Sequence, residues 1–385
     1  MKTLHLTNAW HQRSGGIQTF YRALLDAAER AGQTMVLVVP GETNQTIEFG
    51  AYTRIHEVAA DPAPFNRAYR MIRPGWGGFN ARVRDILKEE APDLVEINDK
   101  YSLHYHAGLI RQGWLRGYAQ RPVLVGISCE RMDENFTQYL PGWPGRDWFC
   151  RWYMKWVYFG FFDHHVTVSA HTAAELREAA RGHVRARGVW IRPMGVDLRN
   201  YSPAARDEEF RAHLARRAGG NENSRVLLYV GRLAPEKNVN LLAAALGELD
   251  RRSGPDYRLV IAGDGIARQT LEQLLRQQAP GAYAFLGHIS DRAELARLYA
   301  SADVFVHPNP EEPFGIAPLE AMASGLPLVG PAAGGILTYA NDRNAWLAKA
   351  ASANCFADQV EAVFEENGER PRRVAEALET ARQLD

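Results

Sequence analysis

Short runs of β-branched and aliphatic residues alternate with stretches of helix length along the first half of the chain. Residues 3–7 and 35–39 are two such runs, and residues 17–30 between them have helical periodicity. Further runs follow at residues 94–97, 123–127 and 166–168. Because buried strands that are separated by helices usually lie parallel in one sheet, this pattern predicts a doubly wound α/β domain.

The alternation stops at residues 193–223, where Pro, Gly and charged residues predict an interdomain connection. It then resumes, with apolar runs at residues 226–230, 259–262, 284–286, 304–306 and 328–329. A length of 385 residues is about twice that of a usual domain. We therefore predict two Rossmann-like α/β domains, residues 1–197 and a second domain from residue 198, which face each other across a ligand-binding cleft.

Composition and charge indicate which broad class of protein this is. Hydrophobic residues make up 46% of the chain and the formal net charge is zero, which fits a globular protein without a nucleic-acid partner. Residues 1–195 hold 24 basic and 19 acidic residues, a mild excess that fits either an anionic acceptor or membrane surface, or ordinary solvated charge. Cys129, Cys150 and Cys355 lack disulfide or zinc spacing, and no signal peptide begins the sequence, so a cytoplasmic location is expected.

One segment is unusually aromatic. Ten of the residues from 143 to 162 are aromatic, and basic residues are interleaved with them. Trp148, Trp152 and Trp156 recur every fourth residue, which aligns them on one face of a helix. We expect this face to pack into a domain core, and insertion at a membrane interface is the alternative. The charges exclude a comfortable transmembrane span.

The most informative segment is VHPNPEEPFGIAPLEAMASGLPLV, in which a strand leads through a loop into a helix that begins near Ile316. The amides of Gly315, Ile316 and Ala317 would lie in the first turn, where unpaired N–H groups and the helix dipole favour phosphate. Glu312 in the loop and Glu320 in the helix would flank that position and accept from sugar hydroxyls. Either carboxylate alone is equally typical of a solvated helix start.

A second cluster follows the strand at residues 226–230. Arg232 and Lys237 come after its carboxyl end, where ligands bind in open α/β sheets, and both can bind phosphate oxygens. Ordinary surface charge is the alternative for such a pair.

Glycine-containing turns give weaker signals. Paired glycines end at Gly16, before the first helix, and would let the backbone approach a diphosphate. Gly263 begins a Gly-Asp-Gly turn that departs from the dinucleotide-binding pattern at Arg268, which disfavours an oxidoreductase. Neither a P-loop nor an Asp-x-Asp motif occurs, so no metal and no cofactor are expected.

Together these motifs resemble glycosyltransferase family four, whose members retain the anomeric configuration, over nearly the whole chain. The E-x7-E motif of that family matches Glu312 to Glu320, and GRLAPEKN, AGDG and GGI occur in the family's order. The resemblance implies a GT-B fold. It also implies that a C-terminal helix, within residues 369–385, returns to the first domain and leaves residues 198–368 as the donor-binding domain.

Further segments, HLTNAWHQRSGGIQTFYRALL, EINDKYSL and ERMDE, are similar to those of bacterial GDP-mannose-dependent mannosyltransferases that act on lipids and glycans. Asp99 and Glu130 lie in these segments and are expected on the acceptor side. Cys129 stands where that branch commonly has a His that contacts the donor sugar or the acceptor. A thiol is a weaker hydrogen-bonding group, so this departure bears on acceptor specificity and on activity.

The resemblance assigns a role to each matched residue. Arg232 and Lys237 would neutralise the donor diphosphate, Glu320 would bind the ribose and Glu312 the sugar hydroxyls. The remaining donor-site residues would border the base, the diphosphate and the helix start, and these are Gly16, Gly263, Ile289, Asp291, Phe314, Gly315, Ile316 and Ala317. For Asp291 a helix-capping role with Glu294 is the expected alternative.

We therefore expect a hexosyltransferase, favouring mannose from GDP-mannose, that acts on a glycolipid or glycan acceptor and makes peripheral contact with the inner face of the cell membrane. A covalent Glu312 intermediate and front-face transfer both remain open as mechanisms. The alternatives are a catalytically inactive sugar-nucleotide-binding protein and an NAD-dependent oxidoreductase.

Overall fold

The computed structural model describes most of the chain, in nine ranges. These are residues 1–10, 16–63, 66–75, 78–115, 121–139, 142–182, 188–252, 256–365 and 368–385. The chain forms two compact units, Met1–Arg192 and Pro193–Asp385. The division after residue 197 and the return of the C-terminal helix to the first domain stay predictions.

The first unit is built on an eight-stranded sheet in the order β10-β9-β8-β7-β1-β2-β4-β3. Its strands are parallel except for the edge strand β3, which runs antiparallel to β4, and β5 and β6 form a separate antiparallel pair. The described strands of this unit are β1 (Lys2–Thr7), β2 (Thr34–Gly41), β3 (Gln45–Glu48), β4 (Thr53–Ala59), β5 (Asp61–Ala63), β6 (Asn66–Met71), β7 (Leu94–Asn98), β8 (Val123–Ser128), β9 (His164–Thr167) and β10 (Val189–Ile191).

Six α-helices belong to the described part of this unit. They are α1 (Gly16–Arg30), α2 (Ala81–Glu90), α3 (His104–Arg111), α4 (Met132–Tyr139), α5 (Arg146–Tyr153) and α6 (Ala170–Ala180). A π-helical turn, Met154–Tyr158, continues α5 directly, and a 3-10 turn, Phe159–Phe161, follows it.

The second unit has a six-stranded, wholly parallel sheet in the order β13-β12-β11-β14-β15-β16. Its strands are β11 (Arg225–Val230), β12 (Tyr257–Ala262), β13 (Tyr283–Gly287), β14 (Val304–Val306), β15 (Leu328–Pro331) and β16 (Trp346–Ala348). Its described α-helices are α7 (Glu208–Arg217), α8 (Asn240–Arg251), α9 (Arg268–Gln278), α10 (Arg292–Ser301), α11 (Ile316–Ala323), α12 (Ala353–Ala362) and α13 (Glu369–Arg382).

The central strands consist of consecutive apolar residues because side chains on both faces of the sheet are buried in a core. In β2, Met35 and Leu37 pack with Tyr21 and Leu25 of α1 in one core cluster. Val36 belongs to the cluster on the other face, with Leu4, Leu6 and Ile86. Alternate residues of one strand thus enter two cores, which explains why the pattern predicted a buried parallel sheet.

In each large sheet the order of strands reverses at one position, which is called a topological switch point. In the first unit the chain moves outward from β1 to β4 and then returns to β7, on the other side of β1. In the second unit β11 leads out to β13, and β14 then lies against the opposite side of β11. Loops at the carboxyl ends of the strands on either side of such a switch point form ligand sites in open α/β sheets.

The tryptophan segment differs from the prediction. Trp148, Trp152 and Trp156 lie on one helical face as expected, but they are 67%, 42% and 61% exposed. The core is instead contacted by the opposite face of the same segment, through Cys150 and Tyr153. The prediction that the tryptophans pack into a core was therefore wrong.

Candidate functional site

An ion pair spans the switch point of the second unit. Lys237 ends a 3-10 turn, Pro235–Lys237, in the loop after β11, and Glu312 lies in the loop after β14. The Lys237 ammonium lies 2.8 Å from Oε2 of Glu312 and 3.1 Å from Oε1. The structure therefore brings together two of the residues that the sequence assigned to donor binding.

The surroundings of Glu312 keep its carboxylate ionised. Burial opposes ionisation, but the charge of Lys237, the charge that His307 gains when it is protonated at low pH, and hydrogen bonds from Lys237 and Asn309 outweigh it, and the pKa of Glu312 falls to about 2. The Asn309 amide donates to Oε2 over 3.1 Å. A buried, ionised carboxylate with a further lone-pair position on Oε1 is suited to accept a hydrogen bond from a ligand hydroxyl.

His307 adds a neutral group to this cluster. It follows β14 directly and is 5% exposed, and burial lowers its pKa to about 4. Its Nε2 atom lies 3.7 Å from Glu312 Oε2, and within the described part of the chain it makes no hydrogen bond. A buried ring nitrogen without a protein partner is suited to a ligand hydroxyl.

Two glycines hold the Glu312 loop in place. The Gly335 amide donates to the Glu312 carbonyl over 2.6 Å. A Cβ atom on Gly335 would lie 1.9 Å from the Pro313 carbonyl oxygen, and one on Gly334 would lie 2.6 Å from that of Pro310. Only residues without a side chain allow this close approach, which gives the GGI motif a physical role.

Helix α11 begins where the sequence predicted. Gly315 is its N-cap, with a left-handed φ of 85°, and a Cβ atom there would lie 2.9 Å from the Tyr339 hydroxyl. The amides of Ile316 and Ala317 fall in the first turn, where phosphate is favoured. The buried Phe314 ring packs edge-on against Tyr339, so Phe314 would contribute its main chain rather than its ring.

Glu320 is buried in α11, one turn beyond the helix start. Its Oε2 atom accepts a hydrogen bond from the Tyr299 hydroxyl over 2.8 Å. Burial raises the pKa of Glu320, which the hydrogen bonds from Tyr299 and Tyr201 only partly offset. Glu312 and Glu320 therefore occupy different environments although one short motif contains both.

Arg232 does not join the Lys237 and Glu312 pair. It follows β11, is about half exposed, and forms an ion pair with Glu236. The loop that carries it is held by the Tyr229 hydroxyl, which donates to the Arg232 carbonyl over 3.2 Å. A contact between Arg232 and a diphosphate would therefore replace or share the pairing with Glu236.

The Gly-Asp-Gly turn after β12 supports the Arg232 loop. A Cβ atom on Gly263 would lie 1.9 Å from the Gly231 carbonyl oxygen, and one on Gly265 would lie 2.2 Å from that of Leu233. The Leu233 amide donates to the Asp264 carbonyl over 3.0 Å. These contacts give Gly263 a packing role beside the site.

Ile289 and Asp291 lie in the loop after β13, at the same carboxyl edge of the sheet. Ile289 is partly exposed. The Asp291 side chain accepts from the Ala293 amide over 2.9 Å and so caps α10. Asp291 is thus the N-cap of α10, as the alternative expected, whereas the reciprocal bond from Glu294 and the contact of Asp291 with a base stay predictions.

In the first unit, Asp99 organises the switch point. Its Oδ1 atom accepts from the amides of Tyr101, Ser102 and Leu103, and its Oδ2 atom accepts from Asn8 over 2.9 Å. Asp99 thereby joins the loops after β1 and β7. Gly16, the exposed first residue of α1, is described, but residues 14 and 15 of the glycine turn lie outside the described residues.

Cys129 and Glu130 follow β8 at the same edge. The Asn98 amide lies 3.7 Å from the Cys129 sulfur, and burial, with Glu96 and Glu130 nearby, raises the pKa of the Cys129 thiol. Burial also raises the pKa of Glu130, opposed by Lys100. Cys129 is thus a neutral thiol at physiological pH and can contribute only weak hydrogen bonds.

A buried ion pair close to Glu130 was not anticipated from the sequence. Lys100, 2% exposed, lies 2.6 Å from Glu175 and donates to the Glu130 carbonyl over 2.5 Å. Glu175 also accepts from the Met132 amide over 2.8 Å. This cluster fixes the turn that contains Glu130, and because it joins residues 75 positions apart, no local spacing reveals it.

His307, Asn309 and the two glycines of the GGI motif were also not assigned a role from the sequence. His307 and Asn309 follow the predicted strand at residues 304–306 directly. The rule that selected Arg232, a polar residue at the carboxyl end of a strand, would have found both.

Metal-binding clusters and membrane-spanning helices are both absent from the described ranges. No group of three or more His, Cys, Asp or Glu side chains there is arranged to hold a metal ion. No described helix is long and apolar enough to cross a membrane.

Two family models match the chain. Residues 211–380 match "Glycosyl transferases group 1" and residues 14–200 match "Glycosyltransferase Family 4". Each match thus covers most of one structural unit.

Curated relatives extend over most of the chain. It is 33% identical over 330 residues to a GDP-mannose-dependent alpha-(1-6)-phosphatidylinositol dimannoside mannosyltransferase of Mycobacterium tuberculosis, covering 86% of this chain and 79% of the relative. It is 37% identical over 331 residues to a GDP-mannose-dependent alpha-mannosyltransferase of Corynebacterium glutamicum, covering 85% of this chain and 71% of the relative.

Among solved structures, the sucrose-phosphate synthase of Thermosynechococcus elongatus aligns with a TM-score of 0.76 at 21% identity, over 100% of this chain and 95% of that one. At this identity the likeness shows the fold alone, and it confirms the prediction of two Rossmann-like domains of the GT-B type. The family matches and the curated relatives give the same assignment as the motifs. The chain therefore belongs to glycosyltransferase family four and is a glycosyltransferase with the GT-B fold.

Proposed function

We propose that the enzyme transfers a mannosyl group from GDP-mannose to a hydroxyl group of a glycolipid or glycan, with retention of anomeric configuration. The observation that carries the proposal is the cluster of Lys237, Glu312 and His307 beside the start of α11. It combines a cation, an ionised carboxylate and a neutral ring nitrogen at a switch point. A sugar diphosphate has groups that match each of them.

In the proposed reaction the bond between the anomeric carbon and the diphosphate breaks, and a bond to the acceptor oxygen forms. Negative charge grows on the leaving diphosphate as this happens. Lys237, Arg232 and the first amides of α11 are the groups that would stabilise it, without a metal ion or cofactor. Glu312 and His307 would hold the hydroxyls of the transferred sugar, and Glu320 would bind the ribose.

Donor and acceptor are proposed on separate grounds. GDP-mannose is supported by the printed names of the M. tuberculosis and C. glutamicum relatives. A lipid-linked acceptor is supported by the former name and by the sequence segments around Asp99 and Glu130. With such an acceptor we place the enzyme in the cytoplasm, in peripheral contact with the inner face of the cell membrane.

Thermal unfolding with added ligand tests the donor, because a ligand that binds the folded state raises the melting temperature, and at a given concentration a tighter ligand raises it more. GDP-mannose should raise it more than UDP-glucose, ADP-glucose or NAD at matched concentrations. An equal or larger shift with UDP-glucose would argue against GDP-mannose. Hydrolysis of the bound donor in the absence of acceptor separates an enzyme from an inactive binding protein.

Retention of the anomeric configuration can be tested separately, by NMR spectroscopy of the product. The proton NMR spectrum of the first product formed should show the same anomeric configuration as GDP-mannose. An inverted product would remove retention from the proposal while leaving transferase activity intact.

A further inference from the structure

A single helical segment of the first unit has two contrasting faces. It consists of α5 and the π-helical turn that continues it, residues 146–158. One face is buried through Cys150, Tyr153, Met154 and Tyr158. The Tyr153 hydroxyl donates to the Lys100 carbonyl over 2.9 Å. The segment is therefore fixed to the core along its length.

The opposite face carries three exposed indole rings. We call Trp148, Trp152 and Trp156 the tryptophan face, and their exposed fractions are 67%, 42% and 61%. The rings of Trp148 and Trp152 stack, with centroids 6.3 Å apart and planes 16° from parallel. Large exposed aromatic groups that adjoin one another mark an interaction surface, since a folded chain gains nothing from presenting them to water.

Basic side chains are interleaved with the indoles. The Lys155 ammonium lies 5.4 Å from the centroid of the Trp156 ring, and the exposed Arg151 precedes Trp152. Arg146 at the start of α5 pairs with Asp147, which is the single acidic residue of the segment. The charge around the tryptophan face is thus predominantly positive.

We propose that the tryptophan face binds the surface of an anionic lipid bilayer. Indole rings favour the boundary between headgroups and acyl chains because one edge donates a hydrogen bond while the rest is apolar. Arg151 and Lys155 lie where they would meet lipid phosphates. A second copy of the chain would instead bring like charges together, which makes the bilayer the better match.

The geometry also limits the depth of binding. Because Tyr153 and Met154 are held in the core, only the side chains of the tryptophan face can enter the bilayer, and the helix axis lies parallel to its surface. This inference does not depend on which donor or acceptor the enzyme uses.

Sedimentation with lipid vesicles tests the proposal. The full chain should bind vesicles of phosphatidylcholine mixed with phosphatidylglycerol, and bind vesicles of pure phosphatidylcholine more weakly. Changing Trp148→Ala together with Trp156→Ala should lower the partition coefficient by about tenfold or more. Arg151→Gln with Lys155→Gln should also weaken binding and remove most of its dependence on salt.

Trp190→Ala provides the matched control. Trp190 is 48% exposed and Arg192 lies 5.8 Å from its ring, so it repeats the chemistry of one indole and one cation outside the helix. This variant should bind vesicles like the unchanged protein. Trp148, Trp156, Arg151 and Trp190 are exposed and Lys155 is half-buried, and none of them belongs to a core cluster, so melting temperature and donor hydrolysis should be preserved in every variant.

Two results would overturn the proposal. The first is equal binding of the anionic vesicles by the unchanged protein and by the double tryptophan variant, or no binding by either. The second is a dimer that forms without lipid and is lost in the double tryptophan variant, which would identify a second copy as the occupant.

Discussion

The ammonium of Lys237 lies 2.8 Å from Oε2 of Glu312, across the switch point of the second sheet. The cation that we assign to the diphosphate thus already contacts the carboxylate that we assign to the transferred sugar. Each of the two side chains orients the other, so the site has its geometry fixed by the protein itself. This coupling shapes what substitution of either residue should do.

Replacing Lys237 with alanine should weaken the binding of GDP-mannose by about tenfold to a hundredfold, because one charge-assisted contact to phosphate is lost. The fold should stay intact although its stability falls, since Lys237 is in a loop and Asn309 still donates to the Glu312 carboxylate. Isothermal titration calorimetry measures the change, and Lys349→Ala, an exposed lysine of the same unit, is the control. Unchanged donor affinity in Lys237→Ala would remove the residue from the site.

Substitution of the two carboxylates of the E-x7-E motif should have different effects on GDP affinity and on the maximal rate. Glu320→Gln should bind GDP about tenfold more weakly, because GDP contains the ribose. Glu312→Gln should bind GDP nearly normally, yet its maximal rate of transfer should fall by about a hundredfold, because the lost contact strengthens as the sugar becomes cationic. Equal losses of GDP affinity in both variants would contradict this division of roles.

Breaking the buried pair of Lys100 and Glu175 should strongly destabilise the folded protein. Lys100→Met or Glu175→Gln alone should lower the free energy of unfolding by about 3–5 kcal/mol, because each leaves an uncompensated buried partner. Both changes together should cost less than the sum. Urea unfolding measures this, with Glu272→Gln as the control, since the exposed pair of Glu272 and Arg276 should contribute about 1 kcal/mol or less. An additive double variant would show that the pair is not coupled.

Stability should fall as pH decreases below about 6.5, the ordinary pKa of histidine. Burial lowers the pKa of His106 and of His307 to about 4 and that of His104 to about 3, so the unfolded chain takes up protons first. The shifts of His106 and His307 each contribute a loss on the order of 3 kcal/mol and that of His104 a loss on the order of 5 kcal/mol, complete near the folded pKa of each.

His106→Gln tests the origin of this pH dependence. The Asn80 amide donates to His106 Nε2 over 3.3 Å, an arrangement that requires an unprotonated Nε2. The free energy of unfolding of His106→Gln, measured by urea titration between pH 7 and pH 5, should fall less steeply than that of the unchanged protein. A flat profile for the unchanged protein would contradict the prediction.

Transfer should proceed without a divalent cation, because Lys237, Arg232 and the α11 amides meet the charge of the diphosphate. Initial rates should be the same with EDTA and with EDTA previously saturated with magnesium. Activity that EDTA abolishes and that magnesium or manganese restores would refute metal independence.

Strands buried on both faces could be predicted from the sequence, and each of the ten predicted runs overlaps a strand. Strand β4 was missed because Thr53 and His56, both buried, interrupt its apolar pattern. The short strands β10 and β16 have three residues each, too few for a periodicity. The tryptophans were misplaced because periodicity identifies a shared face but does not say which face is buried.

For the site, local motifs located Lys237, Glu312 and the start of α11. The motifs did not reveal that Arg232 pairs with Glu236, because a long Arg side chain can reach several nearby carboxylates and the sequence does not indicate which one it contacts. The pair of Lys100 and Glu175 depends on how distant segments pack, which no spacing within a motif encodes.

Because Lys100 is buried, its amine can react with an acylating reagent only when the surrounding structure opens. The sequence has few lysines, at positions 2, 88, 100, 155, 237 and 349, so each acylated peptide is readily assigned by mass spectrometry. Lys88 is exposed and would react at once, whereas Lys100 would react only when the loops after β7 and β8 separate. The ratio of the two reaction rates would thus measure how often these two loops separate in the native enzyme, without any substitution in the chain.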